Sequence, residues 1–381
     1  MSEPAVIFSE IPAARNLKIG KAVLNVPKTL NSLTTEMVEL LLAKLEQWEK
    51  DDAIACLLVT GSGEKAFCAG GDVQALHASA VKTPGGPCVE AETFFAREYR
   101  MDYAIHQFPK PVIVWGDGIV MGGGLGILAG GSHRIVTETS RFAMPEVTIA
   151  LFPDVGGSYF LNQAPGQCGR FLALTGASFN AADALYLGIA NGFIAREQYQ
   201  AVEAALAADA PTDTASVDAT LAPFIQQSES ALPVANVEPH RDQIEALCEQ
   251  QDTVAVVSKF RSLETEDKWL AKAKKSLLHG SPLAALWIDR QLQLSREFSL
   301  AEVFQSELVL ATNIVRHPEF AEGVRALLID KDLSPQWQFS TIESVSNELV
   351  DSFFSRPWPD NPLDDLSVSY THLTLPTIYS V

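Results

Sequence analysis

The N-terminal half of the chain alternates short apolar segments with segments of helical periodicity. Residues 54–59 are an unbroken apolar run closed by a Thr-Gly-Ser-Gly loop, which predicts a buried strand. Residues 34–50 repeat apolar side chains at helical spacing, with Thr34 or Thr35 placed to cap a helix. Further strands are predicted at residues 21–25, 112–115 and 133–137, and further helices at 90–106 and up to Gly130. Strands separated by helices at this spacing predict a layered α/β domain with right-handed crossovers.

The C-terminal half has a different pattern, because strand-like segments become rare after about residue 195. Residues 207–216 are rich in Ala, Asp, Pro and Thr and predict a linker or a loosely packed connection. Helices are predicted beyond it at residues 242–251, 270–278, 282–297 and 300–316. We therefore divide the chain into a catalytic core over 1–205, a helical region over 206–365, and a disordered or foreign tail over 366–381.

Charge and composition exclude several classes of partner. The chain has 28 Lys and Arg against 47 Asp and Glu, a formal charge of −19, and no basic stripe, so a nucleic-acid partner is not expected. The apolar runs fall far short of the ~20 residues of a membrane span, so no membrane association is expected. Five cysteines without a CxxC pair indicate free thiols. With no signal or transit peptide recognisable at the N-terminus, these features predict a cytoplasmic protein.

Two glycine-rich segments each follow a predicted strand. In the first, residues 66–73, Gly70 and Gly71 permit a sharp turn and close approach of a ligand to backbone N–H groups, and Asp72 is placed to cap the next helix. Taken alone, an ordinary strand-to-helix turn explains this segment. The second, residues 116–126, leads into a helix whose N-terminus suits a phosphate or an oxyanion. A dinucleotide-binding fingerprint fits it only weakly, because the matching glycines begin too far beyond the strand.

A third segment places two carboxylates eight residues apart, Glu146 and Asp154, among apolar side chains. A buried carboxylate needs a partner or a chemical role, although these two would equally suit the surface caps of short helices. Two glycine loops that offer N–H donors, together with two acids, suit a reaction through a thioester oxyanion or an enolate. The sequence contains no GxSxG nucleophile elbow, no Walker motif and no HExxH zinc motif, so no metal site is expected.

At these residues the chain resembles the crotonase (enoyl-CoA hydratase/isomerase) superfamily, in which a spiral of ββα units binds an acyl-CoA thioester. The resemblance covers roughly residues 16–200 and implies a crotonase-like core followed by a helical C-terminal region. It assigns the two oxyanion-hole N–H groups to Gly71 and Gly123, and a phosphate contact of the acyl-CoA to Lys28. It also implies that no metal or redox cofactor is needed, and that a homo-oligomer is possible.

Departures from the family pattern narrow the expected reaction. Hydratases of the superfamily carry a catalytic Glu two residues beyond the glycine triplet, where this chain has Gly126, so hydration of a double bond is disfavoured. Longer motifs resemble the superfamily's hydrolases of short, branched 3-hydroxyacyl-CoA thioesters, which act in valine breakdown. These motifs lie at residues 94–99, 144–161 and 320–331, and they extend the resemblance to about residues 10–360.

This second resemblance implies roles for three acids, all of which would contact the substrate. Glu146 would attack the thioester carbonyl or activate a water molecule, and the sequence does not distinguish the two. Asp154 would bind the substrate hydroxyl or transfer a proton. Glu98 would line the acyl pocket and recognise the 3-hydroxyl group. Two alternatives remain: an enoyl-CoA or dienoyl-CoA isomerase, which can use a Glu and an Asp eight residues apart, and a non-catalytic acyl-CoA binder. Both glycine loops and both acids are present, which argues against the binder.

Overall fold

A computed structural model describes residues 4–367, so most of the predicted tail lies outside the described residues. The described part contains two β-sheets surrounded by helices. The strands are β1 (Val6–Pro12), β2 (Lys18–Leu24), β3 (Ile54–Gly61), β4 (Ala66–Cys68), β5 (Val112–Gly116), β6 (Ile119–Met121), β7 (His133–Val136), β8 (Arg141–Ala143), β9 (Phe179–Asn180) and β10 (Gly192–Phe193).

The larger sheet has the strand order β1-β2-β3-β5-β7-β10, and the smaller sheet has the order β4-β6-β8-β9. Pairing in the larger sheet is parallel except between β1 and β2. In the smaller sheet only β8 and β9 pair antiparallel. All but the last residue of β3 are buried, as expected for a parallel strand covered on both faces. The predicted α/β class is confirmed.

Helices of the N-terminal half follow the strands in a repeated pattern. They are α1 (Thr35–Glu49), α2 (Val73–Lys82), α3 (Val89–His106), α4 (Gly123–Gly130), α5 (Gly157–Asn162), α6 (Cys168–Thr175), α7 (Ala181–Tyr186) and α8 (Tyr199–Asp209). A strand of the larger sheet, a short strand of the smaller sheet and a helix occur in succession as β3-β4-α2 and again as β5-β6-α4. The pair β7-β8 then leads into a 3-10 turn, Glu146–Ile149. This is the ββα spiral implied by the resemblance.

Local sequence explains where the helices beside the site begin. The Thr34 side chain accepts a hydrogen bond from the Met37 N–H and caps α1, as predicted. The Asp72 side chain caps α2 by accepting from the Ala75 N–H at 3.2 Å. Because Gly71 directly precedes the capping residue, this cap restrains the backbone of the first glycine loop.

The C-terminal half is helical, as predicted, and the division of the chain into domains stays a prediction. Its helices are α9 (Thr214–Ser228), α10 (Arg241–Cys248), α11 (Thr253–Ser262), α12 (Lys268–His279), α13 (Pro282–Leu294), α14 (Leu300–Arg316), α15 (Pro318–Val324) and α16 (Asn347–Ser352). A single π-helical turn, Arg325–Ile329, follows α15. None of the helices in the described residues is both long and apolar enough to cross a membrane.

The linker predicted over residues 207–216 is wrong in extent. Helix α8 continues to Asp209 and α9 begins at Thr214, which leaves four residues between them. Within this link Ala210 is fully buried. The alanines of this segment favour helix, and Asp213 caps α9 through the Ser216 N–H, so the polar composition marks a helix boundary and not a flexible connection.

Candidate active site

The two glycine loops meet at one edge of the smaller sheet. Strands β4 and β6 are parallel neighbours, so the loops that follow them leave the sheet at the same edge. Gly70 has φ +104° and Gly122 has φ +48°, a backbone region that favours glycine. A Cβ on Gly122 would lie 3.4 Å from the Gly70 Cα. The backbone conformation therefore favours glycine at both positions, and the two loops lie in van der Waals contact.

Each loop presents one backbone N–H group outside the sheet and helix hydrogen bonds. Leu33 pairs with the first loop by donating to the Gly70 carbonyl at 2.8 Å and by accepting from the Asp72 N–H at 2.9 Å. This parallel bridge uses the residues on either side of Gly71 and leaves the Gly71 N–H out of the pairing. Gly123 is the first residue of α4, so its N–H has no acceptor within the helix. The two N–H groups are the donors implied by the resemblance.

A cavity of about 200 Å³ lies between these loops and the segment that carries the two acids. Five of the six predicted site residues line it: Gly71, Glu98, Gly123, Glu146 and Asp154. The three acids are buried, whereas the wall formed by Val73, Thr148, Leu327 and Leu328 is partly exposed and marks the mouth. The cavity therefore has an acidic, enclosed end and an open, mainly apolar end.

Glu146 is the first residue of the 3-10 turn after β8 and is 5% exposed. Its Oε2 atom has no hydrogen-bond partner among the described residues. Burial raises the pKa of this carboxyl well above its ordinary value, and the nearby Asp154 raises it further. A buried, partly unpaired carboxyl on a cavity wall is a candidate nucleophile or general base.

Asp154 lies at the same end of the cavity and is also 5% exposed. The Tyr99 hydroxyl donates to its Oδ2 at 2.7 Å. Burial raises the pKa of Asp154 to about 6, while the hydrogen bond from Tyr99 acts in the opposite direction. Since Glu146 and Asp154 are both buried, the alternative that they cap helices at the surface is wrong.

Glu98 reaches the cavity from α3 and is 2% exposed. A Cβ on Gly123 would overlap the Glu98 Oε1 atom, so this carboxyl lies directly against the second glycine loop. Burial raises the pKa of Glu98 well above its ordinary value, and the charges of Asp154 and Asp102 raise it further. The structure thus brings together three acids from two separate segments of the sequence, helix α3 and the segment that carries Glu146 and Asp154.

Three further polar residues around the site were not predicted. Tyr99 contacts Asp154, and Asp102, one helical turn beyond Glu98, is fully buried with neither oxygen hydrogen-bonded in the described part of the chain. Glu307 on α14 accepts from the Gly156 N–H at 2.8 Å and from the Ser158 hydroxyl at 2.6 Å. Helical spacing from Glu98 could have revealed Asp102, but no sequence signal connects Glu307 with residues 150 positions earlier.

Lys28 is the one predicted site residue that does not line the cavity. It lies exposed in a 3-10 turn, Pro27–Thr29, and its phosphate contact stays a prediction. Among residues 4–367 no group of three or more His, Cys, Asp or Glu side chains is arranged to hold a metal ion.

Gly126 shows why a second catalytic Glu on α4 is excluded. A Cβ at this position would lie 2.6 Å from the Val155 Cβ and 3.0 Å from an oxygen of Asp102. Two non-bonded carbon atoms do not pack within 3.0 Å of each other, so any larger residue would displace Val155. The space beside Gly126 is filled here from two other segments, those of Val155 and Asp102.

The spiral fold, the paired glycine loops and the buried acids together define a class of acyl-CoA enzymes. Comparison with known families agrees with this class. The model of the enoyl-CoA hydratase/isomerase family matches residues 19–354, so the chain belongs to this family. Among curated relatives, a Danio rerio protein named mitochondrial 3-hydroxyisobutyryl-CoA hydrolase is 38% identical over 342 residues, which cover 89% of this chain and 88% of the relative. The Homo sapiens protein of the same name is 35% identical over 338 residues, 88% of this chain and 86% of that protein.

Solved structures confirm the crotonase-like fold over nearly the whole chain. A carnitinyl-CoA dehydratase from Mycobacterium thermoresistibile superposes with a TM-score of 0.83 at 32% identity, covering 94% of this chain and 98% of its own. An enoyl-CoA hydratase from Rhodobacter sphaeroides has a TM-score of 0.80 at 32% identity, with 93% and 98% covered.

The predicted cytoplasmic location is wrong by this comparison. The curated relatives from Danio rerio, Gallus gallus, Homo sapiens and Dictyostelium discoideum all carry the word mitochondrial in their names. Unpaired cysteines indicate reducing surroundings, and this property does not identify a compartment.

Proposed function

We propose that this chain hydrolyses 3-hydroxyisobutyryl-CoA, a short branched 3-hydroxyacyl thioester, to free CoA and 3-hydroxyisobutyrate in valine catabolism. One observation carries the proposal: the buried acids Glu146 and Asp154 lie on the same small cavity as the N–H groups of both glycine loops. Relatives named for this hydrolase, at 32–38% identity over most of the chain, support the choice of substrate. A homo-oligomer stays a prediction.

The two ends of the cavity orient the substrate. The thioester carbonyl oxygen lies between the N–H groups of Gly71 and Gly123, which stabilise the negative charge of the tetrahedral state; one such donor is typically worth ~3–4 kcal/mol of barrier. The hydroxylated acyl group occupies the buried, acidic end. The CoA arm leaves through the partly exposed mouth, beyond which Lys28 is proposed to contact a phosphate.

Glu146 carries the reaction at the carbonyl carbon by one of two routes. As a nucleophile it forms a mixed anhydride and expels the CoA thiolate, and water then cleaves the anhydride. As a general base it removes a proton from a water molecule that attacks the carbonyl directly. In both routes the C–S bond breaks, the thiolate gains a proton and the acyl group leaves as the acid. Asp154, with a pKa of about 6, is placed to transfer a proton or to bind the substrate hydroxyl.

Glu98 supplies selectivity for a hydroxylated acyl group. Its Oε1 atom is buried without a hydrogen-bond partner among the described residues, so a substrate hydroxyl would satisfy it. An analogue without the hydroxyl would leave this polar atom unpaired. Sites built in this way can reject such analogues by ~10⁴-fold or more.

The decisive experiment is a thiol-release assay on the purified chain with 3-hydroxyisobutyryl-CoA, run beside crotonyl-CoA and a dienoyl-CoA. Release of CoA from the first ester, with the other two unchanged, is expected. Absence of thiol release, together with a change in the enoyl absorbance, would instead assign the chain to the isomerases or hydratases of its family.

Substitution of the proposed catalytic acid tests the mechanism directly. Glu146→Gln keeps the shape of the side chain but removes its ability to attack or to accept a proton, so thiol release should fall at least ~10³-fold. Glu229→Gln, at an exposed position, is the matched control and should retain full activity. If Glu146→Gln hydrolyses the ester as fast as the control, Glu146 is not the catalytic group.

A further inference from the structure

Val155, next to Asp154, has an unusual backbone conformation for its residue type. Its φ angle is +54°, in the left-handed region that β-branched side chains rarely adopt. Gly156 follows with φ +80°, so two left-handed residues in succession form a turn directly after Asp154. Strained conformations of this kind persist only where surrounding contacts enforce them, and they occur frequently at active sites.

The contact that holds Val155 comes from α4. The Val155 side chain is almost fully buried and occupies the space beside Gly126, where even a single Cβ would lie 2.6 Å from it. On the other side of the turn, the Gly156 N–H donates to Glu307 of α14, and the Gly157 N–H donates to the Asp154 carbonyl at 2.7 Å. The turn is thus fixed from two helices, and its backbone leaves little freedom to the residue before it.

We propose that Val155, packed against Gly126, is a positioning residue that directs the Asp154 carboxyl into the acyl cavity. Tyr99 restrains the far end of the same side chain through its hydrogen bond to Oδ2. Val155 sets the direction in which the Asp154 side chain leaves the backbone, and Tyr99 sets the position of the Asp154 carboxyl group. The inference rests on the proposed hydrolysis, because it gives Asp154 a part in that reaction.

Several ionisable groups face Asp154, and its pKa in the folded protein depends on them and on burial. Glu98, Tyr99 and Asp102 lie on α3, Glu146 lies on the 3-10 turn, and Glu307 lies on α14. In this enclosed, acidic setting burial raises the pKa of Asp154 to about 6. If the backbone at Val155 relaxes, the Asp154 carboxyl turns toward water and its pKa falls. Whether Asp154 governs the acidic or the basic limb of the pH–activity profile, that limb then moves to lower pH.

The test compares Val155→Ala with Val202→Ala by steady-state kinetics with 3-hydroxyisobutyryl-CoA. Val202 is equally buried, but it lies on α8 against the opposite face of the larger sheet. Val155→Ala should lower kcat at least ~10-fold, change KM less than ~3-fold, and move the limb assigned to Asp154 to lower pH. Val202→Ala, which deletes the same two methyl groups, should leave kcat and the pH profile unchanged. Val155→Thr keeps the branched shape and should restore kcat to within ~3-fold of the wild type.

Two outcomes separate this inference from the proposed function. If the wild type releases no thiol, the proposed function fails before any variant is compared. If the wild type is active and Val155→Ala matches Val202→Ala in kcat and pH profile, Val155 is ordinary core packing and the inference is wrong. Should Val155→Ala not fold, Gly126→Ala moves Val155 by the opposite route, because its added Cβ would overlap the Val155 side chain, and it is likewise expected to lower kcat and to shift the pH profile.

Discussion

Tyr99 and Asp154 show how a single hydrogen bond adjusts the chemistry of a buried acid. The Tyr99 hydroxyl donates to the carboxylate and stabilises its charged form, against the effect of burial. Tyr99→Phe removes this donor, so the pKa of Asp154 should rise further above its value of about 6. The pH dependence of kcat/KM checks this: the limb assigned to Asp154 should move to higher pH, opposite to the shift expected for Val155→Ala. An unchanged profile would mean that Asp154 does not govern either limb.

At this scale the sequence predicted the residues that lie within recognisable motifs. Glu146 and Asp154 stand out as acids among apolar neighbours, whereas the resemblance selects Gly71 and Gly123 as the N–H donors within the two glycine loops. Glu98 was assigned only by resemblance. Residues that lie far from these motifs in the sequence, but which the fold brings to the site, have no recognisable pattern.

Glu307 illustrates this limit. It lies 151 positions from Gly156, whose N–H donates to it, and only the fold brings them together. Val155 likewise looks like an ordinary apolar residue until its φ angle is known.

At the scale of helices and strands, the cap of α2 connects stability with the oxyanion hole. Asp72→Ala removes the bond from the Ala75 N–H and should cost about 1 kcal/mol of unfolding free energy. Because Gly71 immediately precedes this cap, the first turn of α2 and the Gly71 N–H should become less ordered, and kcat should fall several-fold. Thermal unfolding and kinetics on the same preparation measure both effects.

Asp252→Ala is the control for this prediction. Asp252 caps α11 through the Val254 N–H at 3.0 Å, in the C-terminal region, and it does not line the cavity. It should lose a similar amount of stability with no change in kcat. Equal kcat values for the two variants would show that the cap supports the helix alone.

Regular elements were predicted from the sequence where their apolar period was long. The helices α1, α3 and α14 agree with the predicted ranges to within a residue or two, because each repeats apolar side chains over at least four turns. Strand β1, with its mixed sequence VIFSEIP, is not predicted, and neither are the four short strands of the smaller sheet and the two-residue strand β10.

The spiral repeat itself was not apparent in the sequence. Its first strands begin at Ile54, Val112 and His133, and the unequal spacing arises because two helices, α2 and α3, follow the first pair of strands. A search for a constant period therefore finds nothing.

At the scale of the whole molecule, one hydrophobic core joins the two halves of the sequence. The ring of Tyr99 on α3 lies 5.9 Å from that of Phe304 on α14, and the π-helical turn supplies Leu327 and Leu328 to the mouth of the cavity. The sequence predicted a helical C-terminal region but gave no sign that it completes the site. Only tertiary packing shows that the region contributes walls to the cavity and a buried acid beneath it.

The concentration of acids inside this molecule has a consequence for its stability. Burial raises the pKa of Asp102, and the charges of Asp154 and Glu307 raise it further; burial also raises the pKa of Glu307 to about 8. An acid whose pKa is higher in the folded state contributes stability that is fully present below its unfolded pKa and is lost as pH rises through its folded pKa. Each pKa unit of difference corresponds to ~1.4 kcal/mol. The free energy of unfolding should therefore decrease from pH 5 to pH 9.

Asp102→Asn isolates one contributor to this trend. Asparagine has nearly the same shape and cannot ionise, so the variant should lose less stability than the wild type between pH 5 and pH 9 and should be the more stable protein at the upper end. Urea unfolding at several pH values measures the difference, with Asp52→Asn, at an exposed position, as the control that should follow the wild type. If Asp102→Asn instead loses stability as steeply as the wild type, Asp102 is already ionised in the folded protein, and burial alone does not set the charge of this site.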